Sequence, residues 1–192
     1  AAMPGYRGKY LRMVARHAEV QVTVVTPHRW LEGSRWQRSP ATTGDRLRVC
    51  PLPVWAAGRQ YVHGYLGLAP LLRRVRPHLL YVEEEPASVV ACQVAGMAAR
   101  VCPKTAQVFF TWENLRQSWT GIRRALYPRF EQSVYARSCA GIAGTGGARE
   151  VLRARGYACP IFVAPQIGVD CTRFSPGSDS SRAEALVGYV GR

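Results

Sequence analysis

Lysine is almost missing from this sequence, and acidic residues are few. Lys9 and Lys104 are the only lysines, so arginine supplies nearly all of the 26 basic residues, which face 12 acidic ones and give a formal net charge of +14. Two explanations stay open: drift from lysine to arginine on solvated faces in a GC-rich genome, or a surface for anionic lipid headgroups or phosphate-bearing substrates. Nucleic acid is not expected as a partner, because no recognisable nucleic-acid-binding module accompanies the charge.

Long apolar runs, a signal peptide and paired cysteines are missing as well. No stretch approaches the ~18–20 apolar residues that span a bilayer, and no charged start precedes a long apolar segment. The 6 cysteines contain no Cys-x-x-Cys pair, and no histidine lies at zinc-ligand spacing from them. A scattered set of cysteines suits a reducing compartment. We therefore expect a cytoplasmic protein without a bound metal, with a peripheral position at the inner face of the membrane as an alternative.

The chain does contain an alternation of strand-like and helix-like segments. Apolar and β-branched runs predict strands at 19–27, 46–51, 79–83, 106–112, 140–143 and 161–164. Amphipathic spacing predicts helices at 7–17, 65–75, 86–100, 121–137 and 147–155. Pro86 is expected in the first turn of the third helix, where a missing N–H costs nothing. Strands that alternate with helices predict an α/β fold with a Rossmann-like parallel sheet and helices on both faces.

Ligands of such sheets bind beyond the carboxyl ends of the strands, which draws attention to three consecutive carboxylates. Glu83, Glu84 and Glu85 follow a predicted strand and form the only dense acidic cluster of the sequence. Adjacent carboxylates repel one another, so the row indicates cationic neighbours, donated hydrogen bonds or solvent. Recognition of sugar hydroxyls or proton handling at the sheet edge is one interpretation. A polar strand end paired with arginine is the other.

A glycine-rich turn follows another predicted strand. Gly144, Gly146 and Gly147 open a predicted helix, so backbone N–H groups there could hold a phosphate. The dinucleotide fingerprint is incomplete, because Arg149 stands where its third glycine would fall. A tight strand-to-helix turn is the favoured interpretation.

A segment with proline and glycine closes the last predicted βαβ unit. Its characteristic residues are Pro165, Gly168, Val169, Asp170, Phe174 and Pro176, and a strand-like segment follows at 186–192. This order resembles the junction at which GT-B glycosyltransferases of family 4 pass from the N-terminal to the C-terminal domain. The resemblance implies a Rossmann-like acceptor-side domain over 1–172, truncated at its start because the chain opens inside a helix. It also implies an interdomain linker over 173–186 and, over 187–192, the first strand of a donor-binding domain that is otherwise missing.

The resemblance assigns roles to residues after the strand at 106–112. Many family members carry Thr-x-His there, and the histidine assists sugar transfer; Glu113 stands at the matching position and Asn114 follows it. A carboxylate can accept hydrogen bonds from hydroxyls, but it does not inherit the histidine's role unchanged. From the residues alone, a helix N-cap by Asn114 beside a solvated Glu113 is the alternative.

The acidic row also matches the family. Glu84, Glu85 and Pro86 resemble a strand that ends in Glu-Glu-Pro in one branch. The resemblance implies that Glu84 and Glu85 lie near the acceptor sugar, together with Glu113, as the catalytic residues.

Phosphate contacts are implied at the two ends of the chain. The family has an N-terminal glycine loop that runs into a helix, and the matching positions are Tyr6, Arg7 and Lys9. A solvated basic helix face is the alternative there. Arg192 resembles an arginine that reaches the diphosphate of the donor, a contact suited to a guanidinium.

The implied activity is transfer of a sugar from a nucleotide-sugar to an acceptor hydroxyl of a polysaccharide, glycolipid or related glycoconjugate, with retention at the anomeric carbon. The partners would be the nucleotide-sugar and a glycan or lipid-linked acceptor, with no further cofactor and no obligatory metal. The first domain alone is expected to be inactive. The alternative function is that of a non-catalytic Rossmann-like module that recognises an anionic surface, such as a membrane, or a partner protein.

Overall fold

The computed structural model describes residues 4–166 together with Gly168 and Cys171. The predicted linker at 173–186, the predicted strand at 187–192 and Arg192 lie outside the described residues. The helices are α1 (Pro4–Arg16), α2 (Leu68–Val75), α3 (Val89–Val101), α4 (Ile122–Tyr135) and α5 (Gly146–Ala154). The strands are β1 (Val22–Pro27), β2 (Arg29–Glu32), β3 (Arg35–Arg38), β4 (Thr42–Thr43), β5 (Leu47–Leu52), β6 (Val54–Trp55), β7 (Gly64–Tyr65), β8 (Leu79–Val82), β9 (Ala106–Thr111), β10 (Ala140–Ala143) and β11 (Ile161–Val163).

A four-stranded parallel sheet forms the larger part of the molecule. Its strands stand in the order β11-β10-β9-β8, and each neighbouring pair is parallel. Parallel pairing requires a crossover between consecutive strands, and α3, α4 and α5 supply those crossovers. The predicted mixed α/β fold with a parallel sheet and helices is therefore confirmed.

The core of this part is built around the β9 side chain of Phe109, which is fully buried. Its ring packs edge-on against Tyr157 at 5.1 Å and stacks on Tyr135 at 5.5 Å between centroids. Val90 of α3 and Val134 of α4 are also fully buried in the same cluster. Truncation of such an aromatic residue typically costs about 3–5 kcal/mol, so this cluster holds the helices on the sheet.

A smaller sheet contains the first part of the chain. β1 pairs with β5 in parallel, and β4 pairs with β5 in antiparallel orientation. Helix α1 covers this sheet with Tyr10 and Val14, which pack in one buried cluster with Val24, Leu47 and Val49. The predicted first helix and first two strands are thus present.

Two hairpins and a short strand were not predicted. β2 and β3 pair across the two-residue turn Gly33-Ser34, and Gly33 has φ 59°, a left-handed value that glycine adopts without strain. β6 and β7 form a second hairpin, and β4 is a two-residue strand. Residues 28–45 therefore contain paired β-strands, although their polar composition shows no strand pattern.

The prediction for Pro86 is wrong. Helix α3 begins at Val89 after Ser88, whose hydroxyl accepts a hydrogen bond from the Ala91 N–H at 3.1 Å. Pro86 lies in the turn before this N-cap. The capping serine satisfies a free N–H of the first turn, which the proline two residues before it does not do, so the serine sets the helix start.

The length and apolarity of the helices decide whether any of them could cross a membrane. Among the helices described, none is both long and apolar enough to cross a membrane.

Candidate functional site

A pocket lies at the carboxyl ends of β8 and β9. In the parallel register Val82 stands opposite Phe109, so the residues that follow the two strands emerge at one edge of the sheet. The pocket has a volume of about 280 Å³ and is lined by Tyr61, Glu85, Trp112, Glu113, Asn114, Leu115 and Gln117. Three predicted residues, Glu85, Glu113 and Asn114, are therefore brought together.

The Glu85 side chain is hydrogen-bonded to the end of β9. Its Oε2 accepts a hydrogen bond from the Thr111 hydroxyl at 2.5 Å, and its Oε1 accepts one from the Trp112 backbone N–H at 2.9 Å. Burial raises the pKa of Glu85, and these two hydrogen bonds oppose the rise. The carboxyl group thus bridges two strand ends while it lines the pocket.

Glu113 forms a buried ion pair. Arg155 donates from Nη1 to Glu113 Oε2 and from Nη2 to Oε1, both at 2.8 Å, and Nη1 also donates to Glu131 Oε1 at 2.9 Å. The guanidinium lies over the Trp119 ring at 4.8 Å from its centroid. Two parallel N–H···O bonds give a fixed geometry, so the Glu113 side chain is held in place at the pocket wall.

The alternative interpretation of Glu113 and Asn114 is wrong. Asn114 does not cap a helix, because α4 begins at Ile122 after Gly121. Glu113 is not solvated, since only 9% of it is exposed. Asn114 itself is an exposed residue of the pocket wall.

Glu84 faces a buried histidine that was not predicted from the sequence. His63 Nε2 lies 3.8 Å from Glu84 Oε1, and the side chains of His63 and Glu84 are 2% and 30% exposed. His63 Nδ1 lies 3.0 Å from the Gln60 carbonyl oxygen and 3.3 Å from that of Arg59. Both neighbours are acceptors, so Nδ1 carries the proton and Nε2 presents a lone pair toward Glu84.

Burial acts in opposite ways on these two groups. It lowers the pKa of His63, which keeps the imidazole neutral at pH 7, although the carbonyl contacts of Nδ1 oppose the shift. Burial also raises the pKa of Glu84 to about 7, and the carboxylates of Glu85 and Glu83 add to that rise. A carboxyl group with a pKa near neutrality and a buried imidazole therefore lie 3.8 Å apart.

The basic residue predicted at the N-terminal helix reaches the acidic row. Lys9 of α1 donates to Glu83 Oε1, and the Tyr10 hydroxyl donates to Glu83 Oε2 at 2.7 Å. These contacts tie α1 to the end of β8. The side chains of Tyr6 and Arg7, the two residues predicted with Lys9, lie outside the described part of the molecule.

The glycine-rich segment is a tight turn between β10 and α5, which is the interpretation that the sequence favoured. The Thr145 hydroxyl caps α5 by accepting a hydrogen bond from the Ala148 N–H at 3.1 Å, and Gly146 is the first helical residue. A Cβ on Gly144 would clash with the Trp112 indole, so a glycine at this position leaves room for the ring. Phosphate binding by Gly144 and Gly146 stays a prediction.

Three residues of this edge escaped the sequence analysis: Tyr61, His63 and Arg155. The first two lie between the predicted elements, in a segment without helical or strand spacing. Arg155 is one of many arginines, and its partner Glu113 is 42 positions away. Their proximity to the acidic residues results from tertiary packing.

The described residues show no metal site. Within this part of the chain, no group of three or more His, Cys, Asp or Glu side chains is placed to hold a metal ion.

Comparison with known proteins gave no match: no family model, no curated protein and no solved structure is significantly similar to this chain.

Proposed function

We propose that this chain forms the acceptor-side part of a glycosyltransferase with a Rossmann-like, GT-B-type architecture. The reaction would move a sugar from a nucleotide-sugar to a hydroxyl of a glycan or lipid-linked acceptor, with retention at the anomeric carbon. The proposal starts from the sequence resemblance to family 4. Its main structural support is the pocket at the carboxyl ends of β8 and β9, where carboxylates meet aromatic rings.

The chemistry of the pocket suits a sugar. Sugars present hydroxyl groups at their rims and C–H groups on their faces, so a site for them needs hydrogen-bonding groups beside apolar walls. Glu85, Glu113 and Asn114 supply the polar groups. Tyr61 and Trp112 supply the walls, and Tyr61 is stacked on Tyr127 with 5.7 Å between centroids, which fixes its plane.

The carboxylates retain capacity for hydroxyl groups. Each carboxylate oxygen can accept about two hydrogen bonds. Thr111, Trp112 and Arg155 supply one hydrogen bond to each oxygen of Glu85 and Glu113, so lone pairs are left for a bound sugar. Held by β9 and by Arg155, the two groups would orient an acceptor hydroxyl rather than move toward it. Such positioning, with stabilisation of the leaving diphosphate, is the proposed source of rate enhancement.

Sugar transfer by the purified full-length gene product tests the proposal. A panel of nucleotide-sugars is mixed with glycan and lipid-linked acceptors, and acceptor-dependent release of nucleotide diphosphate is measured. The variant Glu113→Gln keeps the side-chain shape but weakens the pair with Arg155, and we expect activity to fall by roughly 10²-fold, as for loss of one oriented polar group in a site. Glu150→Gln, which removes the same charge from an exposed position of α5, should leave activity unchanged.

Two results would contradict the proposal. Absence of transfer across the whole panel would remove the glycosyltransferase assignment. Full activity in a folded Glu113→Gln variant, with folding checked by circular dichroism, would remove Glu113 from the site.

A second candidate function is supported by an apolar and basic surface beside the pocket. Leu115 and Ile122 are each 75% exposed. Exposed arginines flank them at positions Arg116, Arg123, Arg124 and Arg129. Exposed apolar side chains with exposed arginines nearby in the sequence are typical of segments that bind anionic lipids. On this view the chain is a non-catalytic module that binds an anionic membrane.

Vesicle flotation separates this candidate from the first. Binding to anionic vesicles at low salt, lost at high salt and in Leu115→Ser/Ile122→Ser, would support the membrane surface. No binding to anionic vesicles at low salt would remove it. The effect on sugar transfer is compared in the single variant Ile122→Ser, because Leu115 lines the pocket and Ile122 does not.

A further inference from the structure

We propose that a second cavity, at the carboxyl ends of β1 and β5, binds a small organic phosphate, with Arg38 and His28 holding the phosphate group. The cavity has a volume of about 560 Å³, within the range of about 300–1,000 Å³ that is typical of small-molecule sites. Its walls are formed by His28, Arg38, Ser39, Pro40, Ala41 and Pro51. It shares no lining residue with the pocket at β8 and β9, so the inference does not depend on sugar transfer.

The parallel pair of β1 and β5 determines where this cavity lies. Pro27, the last residue of β1, stands opposite Leu52, the last residue of β5, so both strands end at one edge of the smaller sheet. His28 follows β1 directly, and Pro51 is the last residue but one of β5. Ligands of parallel sheets bind at such an edge, beyond the carboxyl ends of the strands.

Hydrogen bonds hold the walls of the cavity in place. The His28 N–H donates to the Leu52 carbonyl oxygen at 2.7 Å, and the Ser39 N–H donates to the His28 carbonyl oxygen at 3.0 Å. The hydroxyl oxygens of Ser39 and Thr26 lie 2.8 Å apart, and both residues are buried. When Thr26 donates in this pair, the Ser39 hydroxyl can donate to a ligand. The cavity is therefore preformed and contains a buried donor in its wall.

The charge of the walls favours an anion. Arg38 and His28 line the cavity, and no carboxylate lines it within the described part of the chain. Arg38 also stands directly opposite Arg29 in the register of β2 and β3, where like charges repel. The Arg29 guanidinium lies over the Trp36 ring at 4.9 Å from its centroid, whereas no carboxylate of the described residues forms an ion pair with Arg38. A bound anion would offset this repulsion.

The types of group in the walls indicate a phosphate attached to an apolar group. A guanidinium donates two parallel hydrogen bonds to phosphate oxygens. An imidazole N–H and a hydroxyl can donate to the remaining oxygen, and a phosphomonoester presents three such oxygens. Pro40, Ala41 and Pro51 form an apolar wall that a phosphate group alone would not cover. The ligand class is therefore an organic phosphomonoester rather than inorganic phosphate.

The His28 imidazole can report occupation of the cavity. The full-length gene product is labelled with nitrogen-15 histidine, and the His28 signal is identified by its loss in His28→Gln. Titration with phenyl phosphate at constant pH should shift this signal until it saturates. Inorganic phosphate should require an about tenfold higher concentration, because it leaves the apolar wall uncovered. Phenol, which lacks the phosphate group, should leave the signal in place.

A pair of matched variants separates a defined site from general attraction to a basic protein. Arg38→Gln should weaken the binding of phenyl phosphate by about 10–100-fold, because it removes hydrogen bonds between two charged groups. Arg35→Gln removes the same charge from an exposed position of the same strand outside the cavity, and its effect should stay below about twofold. Circular dichroism checks that both variants fold. An unmoved His28 signal in the wild-type protein, or equal weakening in the two variants, overturns the site.

Displacement of phenyl phosphate, measured by equilibrium dialysis, distinguishes a soluble phosphate from a lipid phosphate. Displacement by vesicles that contain phosphatidic acid, but not by phosphatidylglycerol vesicles, would assign the site to a lipid phosphomonoester. Absence of displacement by both would assign it to a soluble compound. Equal displacement by both kinds of vesicle would show attraction to negative charge alone and would overturn the preference for a phosphomonoester.

Discussion

Glu113 and Glu84 follow neighbouring strands of the same sheet, yet their surroundings differ. The side chain of Glu113 is 5% exposed, and two guanidinium nitrogens of Arg155 occupy its oxygens. Glu84 is 30% exposed and faces a neutral imidazole across 3.8 Å. Arg155 holds the Glu113 carboxylate by two hydrogen bonds, whereas burial raises the pKa of Glu84 to about 7. One sheet edge therefore holds an ion-paired carboxylate and a carboxyl group with a pKa near neutrality.

The largest effect is expected from breaking the ion pair. Arg155→Met should lower the free energy of unfolding by about 3–5 kcal/mol, because it leaves the buried carboxylates of Glu113 and Glu131 without their cation. Urea denaturation at pH 7 measures the loss, and Arg149→Met, on the exposed face of α5, is the control. A loss below about 1 kcal/mol would show that the pair does not hold Glu113 in place.

A smaller effect, dependent on pH, is expected at Glu84. Because the folded state raises the pKa of Glu84 from 4.5 to about 7, its contribution to stability is complete below about pH 4.5 and is lost as the pH rises through about 7. Glu84→Gln imitates the protonated acid. It should therefore be more stable than the wild type by about 3 kcal/mol at pH 8 and by less than about 1 kcal/mol at pH 5.

Urea denaturation at the two pH values measures this difference. Glu150→Gln, at an exposed position, should show no such change between pH 5 and pH 8. Equal stability of Glu84→Gln and wild type at pH 8 would argue against a raised pKa for Glu84.

The smallest effect is expected at Thr111, whose side chain links Glu85 to the backbone of Glu113. The Thr111 hydroxyl donates to Glu85 Oε2 at 2.5 Å and accepts from the Glu113 N–H at 3.1 Å. Thr111→Val keeps the shape and removes both bonds, so the free energy of unfolding should fall by about 1–2 kcal/mol and the pKa of Glu85 should rise further. Denaturation and carboxyl NMR measure the two changes. Thr120→Val, at an exposed position, is the control, and an equal loss there would contradict the role of Thr111.

The sequence was informative where periodicity and strand ends decide the structure. The strand at 140–143 has the predicted bounds, and the carboxyl ends of β8 and β9 bring Glu85 and Glu113 together as parallel pairing requires. The hairpin β2–β3 was missed because all four residues of β3 are exposed, so no alternation of apolar and polar residues marks it.

The partners of the acidic residues could not be predicted in the same way. Arg155 and His63 reach Glu113 and Glu84 from segments 42 and 21 positions away, and no local pattern encodes such a contact. Burial, which separates the chemistry of the two carboxyl groups, is a property of the packed molecule. The sequence indicated which residues meet at the edge, and packing determined what each can do.

The Trp112 indole has a consequence for communication within the molecule. It follows β9, lies against Gly144 after β10, and donates from Nε1 to Gln166 Oε1 at 2.9 Å just beyond β11. One rigid ring thus contacts the ends of three successive strands while it also lines the pocket. A displacement of the chain beyond β11 would be transmitted to the pocket through this ring. In a variant without the other four tryptophans, the fluorescence of this partly exposed indole would report loss of its bond to Gln166.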